Sequence, residues 1–187
     1  MELSPEEKEL LLGLVRQAID AKFAGKALPP APAGAWEALR AHRGVFVSLK
    51  KGDRLRGCVG YIEGRKPLWQ AVGELAQAAA FRDHRFKPLE PAELPPLQVE
   101  ISILGSLKKI TDINEIEVGR HGLYLKRGIM AGLLLPQVAL EHKWDRLRFV
   151  EETCRKAGLP ADSWKDEETE KYCFEALIFS GGMTKNT

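Results

Sequence analysis

The residues best suited to chemistry stand in one hexapeptide, Leu55-Arg56-Gly57-Cys58-Val59-Gly60, which flanks a thiol with glycines two residues after an arginine. In an extended strand alternate side chains share a face, so the spacing sets Arg56 and Cys58 on one side with Cα atoms roughly 6.5–7 Å apart. A guanidinium at that range favours the thiolate, the nucleophilic form of cysteine. Gly57 and Gly60 weaken a strand and leave bare backbone that a ligand could approach closely. The same residues also suit a small buried cysteine in a glycine-notched strand packed against a helix, which is the commoner fate of cysteine.

Two further residues complete the candidate chemistry. His121, in Gly119-Arg120-His121-Gly122, has space around its imidazole and would serve as general base if it stood near Cys58. Its ordinary alternative is a loop histidine bonded to backbone. Glu100, on a neighbouring strand, would position groups beside the thiol. His42, His84 and His142 read as loop residues. Cys154 and Cys173 fall on apolar stripes and read as packing. No Cys-x-x-Cys, His-Glu-x-x-His, glycine-rich phosphate loop or Gly-x-Ser-x-Gly elbow occurs, so no metal and no cofactor is expected.

The elements that must position these residues can be read from pattern. Val45–Leu49, a turn at 50–53 and Leu55–Ile62 form a β-hairpin. Ser4-Pro5-Glu6-Glu7 is a capping box opening a helix to about Ala24, and Leu28–Pro32 is an extended connector. A second helix starts at Pro67 and ends near Phe81–Phe86, before Pro88, its alanines implying close approach to a sheet. Leu97–Leu104 alternates as a half-buried strand. A second hairpin spans 123–135, Asp145 caps a helix bearing Leu147, Val150, Cys154 and Ala157, and Tyr172–Phe179 is the last strand. The final residues, from Met183 on, read as frayed. The fold class is α+β, a largely antiparallel sheet flanked by helices, with the strands near Val45, Leu55, Val99 and Phe174 in one sheet.

Composition bounds the function. The 187 residues suit one domain, or a domain with a small subdomain, and 28 basic against 26 acidic residues leave a net charge of +2, too small to imply a polyanion partner, so nucleic acid is not expected. Three cysteines at scattered positions argue for a reducing compartment. The acidic start is no secretion signal, and no apolar run reaches the ~18 residues of a membrane span. A cytoplasmic protein is expected.

The motifs together resemble a known family. Leu55–Gly60 resembles the signature of the AMMECR domain. Ala79-Ala80-Phe81-Arg82-Asp83-His84-Arg85-Phe86-Lys87-Pro88-Leu89 resembles its second block, with His84 where proline is usual. Glu100–Leu104, Gly119–Leu123, Gly132–Val138, Cys154–Leu159 and Trp164 follow in order. The resemblance implies a single AMMECR-type domain over 1–187 in two unequal parts, the larger from both ends of the chain and the smaller from its middle. It also implies kinship with AmmeMemoRadiSam system protein A, whose relatives accompany a MEMO-like protein and a radical S-adenosylmethionine protein. It supplies no reaction.

Two functions of different class remain. One is a thiol-dependent enzyme or modification factor for a small molecule or peptide. In it Cys58 is nucleophile or carrier, His121 a base, and Arg56, Gly57, Gly60 and Glu100 line a shared substrate cleft. The other is a non-catalytic regulatory or adaptor module that binds a protein or nucleic acid.

Overall fold

The computed structural model describes residues 2–31 and 37–183. In chain order its elements are α1 (Pro5–Phe23), α2 (Glu37–Arg40), β1 (Val45–Lys51), β2 (Arg54–Tyr61), α3 (Leu68–Phe81), β3 (Leu97–Leu104), β4 (Lys108–Ile110), β5 (Gly122–Arg127), β6 (Met130–Leu134), α4 (Pro136–Glu141), α5 (Arg146–Lys156), β7 (Glu170–Phe174) and β8 (Ala176–Gly182). Short 3-10 turns precede β3, follow β4 and follow α5. The chain forms two compact units, one running to Ile103 and resuming at Leu177, the other comprising Leu104–Ala176.

In the first unit the capping box forms as its sequence requires. The Glu7 N–H donates to Ser4 Oγ (3.2 Å), and the Ser4 N–H donates back to Glu7 Oε2 (2.8 Å). The helix then buries Leu11, Leu14, Val15, Ala18 and Ile19. Strands order β2-β1-β3-β8, with β1 antiparallel to both β2 and β3. Val45, Val47 and Leu49 face the same core as Val99, Ile101 and Ile103, where α1 and α3 supply the second layer. Alternation turns Phe46, Ser48 and Lys50 to the opposite face, so Ser48 stands directly between Cys58 on β2 and Glu100 on β3.

The second unit has its own antiparallel sheet, ordered β4-β7-β5-β6. Ile110, Leu123, Leu125 and Cys173 pack there with Phe149, Val150 and Cys154 of α5. Asp145 caps α5, its carboxylate accepting the Arg148 N–H at 2.7 Å.

The fold class is the expected α+β, but four details differ from the sequence reading. The four strands do not share one sheet. The run expected as one strand breaks at Glu175, so Phe174 ends β7 in the second sheet while β8 joins the first. Apolar residues on both sides of Glu175 hide that break, because a strand leaving one sheet and one entering another want the same residues. Leu147 is 47% exposed and lies off the buried stripe of α5. Met183 is buried rather than frayed, its N–H donating to Leu97 O at 3.0 Å; residues 184–187, like Pro32 of the connector, lie outside the described residues. Of the short elements α2, β4 and α4, only α4 left a usable signal, proline at its first position.

Candidate functional site

Cys58 lies on β2, the edge strand of its sheet, and is half-buried, whereas Cys154 and Cys173 are buried. Burial pushes both of the latter thiols up in pKa. Among the described residues, three side chains hydrogen-bond Cys58. Its Sγ accepts from Ser48 Oγ at 3.1 Å. Its N–H donates to Asp83 Oδ2 at 2.9 Å, and its carbonyl accepts from Arg85 Nη2 at 3.0 Å. Asp83 and Arg85 therefore complete the two hydrogen bonds that an edge strand otherwise leaves open.

These two residues also bind each other as a fork. Arg85 Nε reaches Asp83 Oδ1 at 2.9 Å and Nη2 reaches Oδ2 at 2.6 Å. The Asp83 side chain is only 4% exposed. The Arg85 hydrogen bonds, with help from the Cys58 N–H, hold its carboxyl well below the usual carboxylate range against the opposing effect of burial. Asp83 and Arg85 follow directly after α3, whose end packs on β2 at Gly57. Sequence reading missed both as partners of Cys58. The signal present was an acid two residues before an arginine at the end of a helix, ahead of Pro88.

Arg56 does not take the expected place. Leu49 pairs with Gly57 and Lys50 with Leu55, so Arg56 is the extra residue of a β-bulge and the assumed alternation fails there. Its Nε and Nη2 grip Glu93 at 2.8 and 2.9 Å, and Nη2 also donates to Lys87 O at 3.0 Å. That hydrogen bonding pulls the Glu93 carboxyl down to about 2. Arg56 and Arg85 are thus each matched by a carboxylate, which offsets the cationic field expected of Arg56. Both guanidiniums lie within 6 Å of the Phe86 ring, Arg56 at 5.9 Å and Arg85 at 5.5 Å from its centroid.

The glycines are filled rather than open. A methyl on Gly57 would overlap the Ala79 carbonyl of α3, and one on Gly60 would overlap the Phe46 ring. Glu100 lies in the same cross-strand row as Ser48 and binds Lys50 Nζ at 2.8 Å. His121 belongs to the second unit, where its Nδ1 accepts the Glu117 N–H at 3.1 Å. It lines a polar cavity of about 450 Å³ there, together with Lys108, Glu115, Arg120, Cys173 and Glu175. Among the described residues no group of three or more His, Cys, Asp or Glu side chains is arranged to hold a metal ion.

The family model AMMECR1 matches residues 12–179, nine-tenths of the chain and all of the Cys58 surroundings. The chain belongs to the AMMECR1 family. Among its AMMECR1 relatives, Protein MK0488 of Methanopyrus kandleri is 43% identical over 187 residues, covering 95% of this chain and 89% of that protein. Protein TK0174 of Thermococcus kodakarensis is 40% identical, covering 95% and 91% respectively. The crystal structure of an uncharacterized AMMECR1 relative, PH0010 from Pyrococcus horikoshii, superposes with a TM-score of 0.91 at 39% identity, over 96% of this chain and 94% of that one. The AMMECR1 fold is therefore shared across nearly the whole length.

Proposed function

We propose that this AMMECR1 protein is a thiol-dependent enzyme or modification factor for a small molecule or peptide, with Cys58 as nucleophile or carrier. One observation carries the reading: of the three cysteines only Cys58 is not buried, and its backbone is fixed on both sides by side chains. A cysteine that is only partly buried and held in a rigid frame can meet an electrophile without unfolding. The reading does not require His121, whose Nδ1 is already engaged by backbone. A cytoplasmic setting and a MEMO-like or radical S-adenosylmethionine partner belong to the same proposal. Among the described residues no helix is long and apolar enough to cross a membrane.

A regulatory or adaptor reading is favoured by the edge-capping role of Asp83 and Arg85, which is structural in itself. Alkylation of the native protein separates the two. Iodoacetamide should modify Cys58 in the folded chain while Cys154 and Cys173 react only in denaturant. If Cys58 also waits for denaturant, the enzyme reading falls and the adaptor reading stands.

A further inference from the structure

We propose that Ser48 is the positioning residue that favours the thiolate of Cys58, by donating its buried hydroxyl hydrogen to Sγ. The inference rests on the thiol reading above and supplies the group that would activate it. Cross-strand register pairs Ser48 directly with Cys58, so both side chains leave the sheet on the same face. The Oγ–Sγ separation is 3.1 Å and Ser48 is 5% exposed. A hydroxyl so far out of water must be bonded to be tolerated, and sulfur accepts that bond better as it gains charge.

The charged groups around the thiol make a hydroxyl the more telling partner. Asp83 and Arg85, from the segment after α3, bind each other. Arg56 of β2 is bulged and bound to Glu93, while Lys50 of β1 is bound to Glu100 of β3. Each of these three cations thus brings a carboxylate that offsets much of its field, although Arg85 still acts electrostatically on Cys58. The Ser48 hydrogen bond acts on Sγ itself and carries no compensating charge. On ionisation the thiol proton passes to solvent and the hydroxyl stays in place as donor, so the step needs no other reactant.

The test is the thiolate titration of Cys58, read from ultraviolet thiolate absorbance with a Cys58→Ser control subtracted. Full-length wild type, Ser48→Ala and Ser48→Thr are compared. Ser48→Ala should lower the thiolate fraction near neutral pH about tenfold, as expected for losing a hydrogen bond to a charged acceptor. Alkylation should slow less, roughly threefold, because a more basic thiolate is a better nucleophile. Ser48→Thr, which keeps the hydroxyl on a strand-favouring side chain, should restore the wild-type titration. An unchanged titration in Ser48→Ala overturns the inference even if the variant is less stable, since packing alone would not hold the thiol's ionisation. If Ser48→Ala shifts the titration yet native wild type resists alkylation, the inference stands and the thiol-dependent function fails.

Discussion

Replacing Gly57 by alanine tests the contact that seats β2 on α3. The added methyl would stand 3.0 Å from the Ala79 carbonyl carbon and nearer still to its oxygen. Both partners are backbone, so no rotamer change relieves the overlap, and the helix must lift from the strand. Overpacking that side chains can absorb costs about 1–3 kcal/mol. A backbone-against-backbone clash belongs at the top of that range, while reduced freedom of the unfolded chain returns about 0.4–1 kcal/mol. The expected net loss is about 2–3 kcal/mol, or roughly a 4–12 °C drop in Tm for a chain of this size. Urea unfolding followed by circular dichroism would measure it as a lower midpoint at constant slope. Gly13→Ala is the internal control. That position lies within α1, and a methyl added there meets no atom within 4 Å, so alanine should stabilise by about 0.5–1 kcal/mol. A loss below ~1 kcal/mol for Gly57→Ala, with the control behaving, would refute the close strand–helix contact and restore an open notch beside Cys58.

Two other outcomes follow from the ion pairs. Glu93 is held at about 2 by Arg56, below its unfolded value, so its contribution is present above the ordinary carboxylate range and lost as pH falls through about 2. Glu93→Gln should cost about 1–2 kcal/mol at neutral pH after allowing for partial solvent screening, and should flatten the stability loss between about pH 5 and pH 2. Parallel acid unfolding curves for variant and wild type would contradict this. Asp83→Asn should both destabilise the fold and make Cys58 more reactive, because it frees the Arg85 charge from its carboxylate. The alkylation pH profile should move to lower pH; movement to higher pH, or none, would show that Arg85 does not act on the thiol.

The sequence by itself determined most of the longer elements and the family. The capping box at Ser4, the alternation of Leu97–Leu104 and the alanine-rich stripe of α3 each form where their pattern places them, because capping, period and residue size act within a few residues. The ordered motifs from Leu55 to Trp164 pointed to the AMMECR1 family for the same local reason. Tertiary structure alone decided who meets Cys58. One bulge at Arg56 breaks the alternation that would aim it at the thiol and sends its guanidinium to Glu93, 37 residues away. Strand register chose Ser48, ten residues distant, and the edge position of β2 made Asp83 and Arg85 its partners. Likewise the two sheets divided an apolar run at Glu175 that local pattern reads as continuous. Register, bulges and edge cover depend on contacts between distant segments, and a single sequence read by local pattern carries almost no record of them.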